Sequence, residues 1–248
     1  MSAPFELTAL FTLCLIVLAL GIFAMSMGPR MQILWRLRHE DFRFRDLGER
    51  TMRLLKFGFG QRRLVDPEEF KPGLAHVLIF AAFIVLALRT ITLFGMGLAG
   101  WDFHLPFLGA NSPTGRTYLL LKDLVVAGAL LGAGYFLYLR LFVKPDRMTR
   151  SGEAIFILGM ILGLMVTEIF FDGAHLLFFE GGRSHWYTPL GGVAVSIYQA
   201  LGASPETAWL VGRIGWWLHI GQILVFLNFL PLGKHFHVIT GLPNVFFQ

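Results

Sequence analysis

Apolar residues along this chain gather into five long runs separated by polar breaks. The runs cover 7–27, 73–94, 117–143, 152–179 and 207–230. Each is near or above the roughly 20 residues a helix needs to cross a bilayer. No stretch alternates apolar and polar positions as a membrane barrel requires. The pattern predicts an all-α, polytopic membrane protein with five transmembrane helices, one domain over 1–248. No inverted repeat is visible, and five helices do not divide into two equal halves.

The polar breaks orient the spans. The long break at 28–72 holds eleven Lys and Arg, from Arg30 to Lys71. The break after the third run holds Lys144, Arg147 and Arg150, whereas the other two carry only Arg116 and Arg183. The positive-inside rule places the two basic breaks in the cytoplasm. The N-terminus is then outside and the C-terminus cytoplasmic. A connection this long usually carries structure of its own. Residues 46–57, with Leu47, Met52, Leu54 and Leu55 among charges, read as a helix lying along the membrane surface. The basic patch reads as orientation with anionic lipid contact, or as a docking surface for a cytoplasmic partner; the two are compatible. No basic segment precedes the first run, so a cleaved signal peptide is not expected.

Composition narrows the class. The chain is 55% hydrophobic and 15% charged, where a soluble domain carries about a quarter charged residues. This excludes a disordered chain, a nucleic-acid-binding domain and an ordinary soluble enzyme. The net charge of +5 is explained by topology, with no nucleic acid. The single cysteine, Cys14, lies in an apolar run and reads as a buried small hydrophobe. One thiol excludes an internal disulfide and a Cys-ligated zinc or iron–sulfur site within these residues.

Eight histidines stand out in a chain poor in other polar residues. His76 lies at the start of the second span, His175 late in the fourth and His219 in the middle of the fifth. His235 and His237 follow at its cytoplasmic end, and His39, His104 and His185 are in loops. An ionisable residue inside a span is costly and points to function. Neutral imidazole is a natural axial ligand for b-type haem. His219 and His237 are 18 residues apart, five turns of one helix, about 27 Å at 1.5 Å per residue. If the helix runs on past Pro231, both lie on one face and suit two sites near opposite membrane surfaces. By depth, His76 pairs with His237. His219 lies deeper, and His175 is the other histidine inside a span, nearer the outer surface by around eight residues. The plainer reading of each is a hydrogen-bonded core residue, and of His235 a surface residue or a substitute for His237.

Several motifs resemble one family. They are Trp216-Trp217-Leu218-His219, Phe229-Leu230-Pro231, Lys234-His235-Phe236-His237 and Leu242-Pro243-Asn244-Val245-Phe246-Phe247, with Gly60-Gln61-Arg62-Arg63-Leu64 and Pro72-Gly73-Leu74-Ala75-His76. The chain resembles the membrane domain of heterodisulfide-reductase-related iron–sulfur oxidoreductases, among them electron-transfer-flavoprotein:menaquinone oxidoreductases. That domain is similar to the gamma subunit of respiratory nitrate reductase, a five-helix dihaem cytochrome b. The resemblance implies that His219 and His237 each serve a different haem. It also implies two histidines ten residues apart on the second helix. The first matches His76, but ten residues on stands Leu86. Either His175 replaces the missing ligand, or the outer haem is absent or bound differently. In many relatives a cytoplasmic iron–sulfur domain follows this motif. None lies within these residues, so the clusters are expected elsewhere, on a separate subunit or beyond this sequence.

Other charged positions fit this picture. Arg89 and Arg213, toward the outer ends of their helices, suit haem propionates, with snorkelling to the interface as the plainer reading. Glu168 and Asp172, one turn apart near His175, read as a proton relay or quinone site, or as structural hydrogen-bond partners. Lys122 and Asp123 read as interfacial. The expected protein is a haem-b subunit of the bacterial cytoplasmic membrane, with two haems or one. It passes electrons from an iron–sulfur subunit or electron-transfer flavoprotein to menaquinone or ubiquinone. The rivals are a haem-free membrane anchor of a redox complex and a small transporter.

Overall fold

The computed structural model describes residues 5–36, 46–62, 64, 67–145 and 151–247. His39, Arg38, Arg43, Arg45, Arg63, Arg147 and Arg150 lie outside them. The elements are α1 (Phe5–Arg36), α2 (Leu47–Arg53), α3 (Phe70–Ala99), α4 (Pro113–Tyr138), α5 (Gly152–Phe179), α6 (Pro189–Ala200), α7 (Pro205–Phe229) and α8 (His237–Phe247). No strand occurs among the described residues. The stretches Glu6–Ile33, Pro67–Ala99, Pro113–Val143, Gly152–Phe179 and Pro205–Leu232 are long and apolar enough to cross a membrane.

The helices outrun the apolar runs because a transmembrane helix does not end where the hydrocarbon does. Caps set some of the ends. Ser112 accepts a hydrogen bond from Gly115 N at 3.0 Å, with Pro113 at the first helical position, and Ser151 accepts from Ala154 N at 3.2 Å. Helix α2 continues as a π-helical turn over Leu54–Phe59, so the helix expected at 46–57 is present.

Two expectations are corrected. The stretch between the fourth and fifth spans is not all loop: it contains the twelve-residue α6. The signal was Thr188-Pro189, a proline at the first helical position, followed by apolar and small residues. Cys14 is exposed rather than buried. Its neighbours Phe11, Leu13, Leu15, Val17 and Leu18 are exposed with it. For a span, lipid is an apolar solvent, so an apolar side chain needs no protein around it.

The chain divides into two compact units, Met1–Thr12 with Leu74–Ile223, and Leu13–Gly73 with Leu224–Gln248. In the first, small residues bring helices into contact. A Cβ added at Gly173 of α5 would lie 2.4 Å from Ala194 Cβ of α6, and one at Gly212 of α7 would lie 2.4 Å from Ala174 Cβ of α5. One core cluster joins Leu93 and Met96 of α3 to Phe171 of α5 and to Trp216 and Ile220 of α7. The Trp216 indole donates to Leu93 O at 3.3 Å.

In the second unit, α8 packs on the turn after α2. A Cβ on Gly58 would come 3.0 Å from Leu242 Cδ2, and Arg50 Nη1 donates to Phe246 O at 3.2 Å. Asn228 donates to Ala19 O at 3.1 Å. The helix does not run on from His219 to His237. Helix α7 ends at Phe229, a 3-10 turn spans Leu230–Leu232, and Gly233 is extended at φ −145°. Pro231 has no N–H and crowds the preceding turn, which ends the helix. Five turns of one helix therefore do not measure the separation of these histidines.

Gly212→Ala should lower the melting temperature in detergent, a loss of about 1–3 kcal/mol from overpacking. Gly221→Ala, on the same helix with nothing within 4 Å, should be neutral or slightly stabilising, since alanine favours a helix by about 1 kcal/mol over glycine. Equal melting curves for the two variants would remove the close α5–α7 contact.

Candidate functional site

Five charged side chains from three helices meet inside the first unit. Arg89 of α3 donates through Nε to Glu168 Oε1 at 2.6 Å and through Nη2 to Asp172 Oδ1 at 2.5 Å. Lys122 of α4 reaches Asp172 Oδ2 at 2.6 Å, Asp123 Oδ1 at 2.7 Å and Glu168 Oε1 at 3.3 Å. Asp123 Oδ2 accepts the backbone N–H of Leu190 at the start of α6 at 2.7 Å. Lys122, Asp123 and Glu168 are 1–2% exposed, and Arg89 is 6%. Charges this deep persist only when each meets an opposite charge or a hydrogen-bond donor.

Lys122 and Asp123 are therefore not interfacial, and Arg89 does not snorkel. Their side chains turn inward because Glu168 and Asp172, one turn apart on α5, present two carboxylates on the facing surface. Arg89 takes protein carboxylates as its bidentate partners. The sequence signal was present: two adjacent charges near the tenth residue of an apolar helix.

His219 of α7 joins this cluster. Its Nδ1 lies 2.9 Å from Thr167 Oγ1, and that hydroxyl donates to Gly163 O at 2.8 Å. The Thr167 hydroxyl, within reach of Gly163 O and Leu164 O as well, is the hydrogen-bond partner of Nδ1 and fixes the orientation of the ring. Nε2 faces Glu168 Oε2 at 4.0 Å. That oxygen is buried and has no hydrogen-bond partner among the described residues. Thr167 contacts this histidine although nothing in its local sequence singles it out.

The structure does not bring His175 to His219. His175 packs against Trp209 and Phe179, at ring-centroid distances of 6.2 and 4.7 Å. His219 is level with Thr167, eight residues from His175 and about 12 Å away along α5. Two axial ligands of one iron must lie within a few ångström of each other, so these two do not share one. Leu86 packs with the cluster of Ala82, Val126, Ala129 and Met165. The residues around His219 thus do not fit a bis-histidine haem.

The other histidines differ. His76 is half-buried in the second turn of α3. His237 opens α8 and is exposed, while His235 is half-buried, with the two rings 6.2 Å apart. Imidazole is a donor type that suits haem b; His76 belongs to the first unit and His235 and His237 to the second. Arg213 is half-buried, its guanidinium 6.0 Å from the Trp101 ring centre, and its Nε is buried with no hydrogen-bond partner among the described residues. Among the described residues no three His, Cys, Asp or Glu side chains are grouped to hold a bare metal ion.

No family model and no solved structure matches this sequence. Over 194 residues the chain is 32% identical to a probable iron-sulfur-binding oxidoreductase, FadF, of Bacillus subtilis (strain 168), covering 77% of this chain and 26% of that protein. Over 250 residues it is 22% identical to the EtfAB:quinone oxidoreductase of Syntrophomonas wolfei subsp. wolfei, covering 94% of this chain and 33% of that protein. The chain thus spans about a quarter to a third of the length of these curated relatives. The similarities support a relation to oxidoreductases with an electron-transfer role.

Lys122→Met removes one of two cations from three carboxylates. It should cost about 3–5 kcal/mol, because a buried charge is left uncompensated. Arg53→Met, which breaks an exposed pair with Glu49 at 46% and 73% exposure, should change stability by less than about 1 kcal/mol. Thermal unfolding in detergent checks both, and a tolerated Lys122→Met would show that the network is not tightly closed.

Proposed function

We propose that this chain is the haem-b membrane segment of a quinone oxidoreductase, lying in the bacterial cytoplasmic membrane with its N-terminus outside and its C-terminus cytoplasmic. It takes electrons from an iron–sulfur protein or electron-transfer flavoprotein on the cytoplasmic side and delivers them to menaquinone or ubiquinone. The observation that carries this reading is the 32% identity, over 77% of the chain, to an iron-sulfur-binding oxidoreductase, in a segment with five apolar helices and one cysteine. With one thiol, the segment supplies no cluster of its own. Its own contribution to electron transfer must come from another ligand type, and histidine is the one it offers.

His76 is proposed as one axial ligand, with His237 or the neighbouring His235 as the other. Haem b, when bound, supplies a one-electron Fe(III)/Fe(II) couple. The chain's part is to present the imidazoles and exclude water from the spans, which would tune the potential. Neither arginine is proposed for its propionates: Arg89 is already held by carboxylates, and Arg213 is 16 residues, about 24 Å, along α7 from Phe229 at the cytoplasmic end.

Quinone reduction consumes protons, and Glu168 and Asp172 are proposed as the proton side of the quinone site. Both oxygens of Asp172 are engaged by Arg89 and Lys122. Glu168 keeps Oε2 open toward His219, so of the two it is the residue able to exchange a proton. The basic connection carrying α2, together with α8, is proposed as the docking face for the cytoplasmic partner.

His76→Ala should abolish the haem absorption of the purified full-length protein. Of His235→Ala and His237→Ala, one should do the same and the other should not. Undiminished haem in His76→Ala would refute the ligand assignment.

A further inference from the structure

The relatives this chain resembles imply a second haem on His219. We infer that the chain holds none there, and that the interior at His219 is filled by the ion-pair network, leaving one haem position per chain at His76. This inference rests on the haem reading above.

The first ground is what His219 faces. One ring nitrogen is taken by Thr167 at 2.9 Å. The other points at Glu168 Oε2 at 4.0 Å. Glu168 cannot swing aside freely, because its Oε1 is held by Arg89 at 2.6 Å and Lys122 at 3.3 Å. Those cations are in turn tied to Asp172 and Asp123. A macrocycle on Nε2 would displace a closed set of charges from three helices and leave some of them unpaired, at several kcal/mol each.

The second ground is packing along α7 on both sides of His219. Toward one end, a Cβ on Gly212 would meet Ala174 Cβ at 2.4 Å, and the Trp216 ring would lie 2.6 Å from a Cβ on Gly97. Toward the other end, Gln222 Nε2 would lie 2.7 Å from a Cβ on Gly163. At Gly212 the two helices meet through Cβ-level contact, whereas at Gly97 and Gly163 the tips of the Trp216 and Gln222 side chains fill the space over the glycine. The volume one turn to either side of His219 is thus taken by the Trp216 and Gln222 side chains. The third ground is the missing partner: Leu86 is packed in an apolar cluster, and His175 is beside Trp209.

The network and these side chains therefore occupy the space a haem on His219 would need.

The test is the haem-to-protein ratio of the full-length protein, purified in detergent and measured as the pyridine haemochrome, in unmodified, His219→Ala and His76→Ala forms. The expected ratios are one, one and zero, with the reduced absorption band of His219→Ala unshifted. Two haems in the unmodified protein, or loss of haem in His219→Ala, overturn this inference while the haem reading stands. No haem in the unmodified protein overturns both. If His219→Ala does not accumulate, the ratio of the unmodified protein decides alone.

Discussion

An arginine and a lysine cannot be buried in apolar helices without carboxylates to meet them. That constraint organises the larger unit. Arg89, Lys122, Asp123, Glu168 and Asp172 come from α3, α4 and α5, and each is satisfied only when the three helices hold one relative rotation. Asp123 extends the set to the first turn of α6. Such a network is weak evidence for stability, since desolvation offsets much of the attraction. Its value is specificity: lipid gives no hydrophobic push between helices, so polar contacts and small-residue packing must fix their rotation.

The same constraint shapes the chemistry. The two cations face three carboxylates, and Glu168 Oε2, which has no hydrogen-bond partner among the described residues, faces Nε2 of His219. Thr167 holds the opposite side of the ring through Nδ1. A histidine that by position alone reads as a haem ligand is, by its neighbours, part of a polar cluster. The smaller unit follows different rules. There Pro231 and Gly233 break the fifth span's helix, and α8 rests on the turn after α2 through Gly58 and Arg50.

Much of the fold was legible in the sequence because hydropathy alone marks a span. The five apolar runs each became a helix, and the short helix in the basic connection followed from its own alternation of leucines and charges. Helix α6 was hidden because twelve residues with two adjacent glycines show no clear period. The site was legible in composition but not in pairing. That Glu168 and Asp172 act together followed from one-turn spacing on α5. That Lys122 and Arg89 meet them did not, because facing across helices depends on rotation, which no local spacing encodes. Cys14 was misjudged for a related reason: an apolar run says nothing about which side touches lipid.

On the proposed reading, a single histidine-held haem in this segment hands electrons to quinone. The most direct test is to reduce the full-length protein chemically in detergent, remove the reductant and add a menaquinone analogue. The account predicts a reduced haem b absorption band that disappears on adding the quinone. A band that persists with quinone in excess, or a protein with no such band, would contradict it.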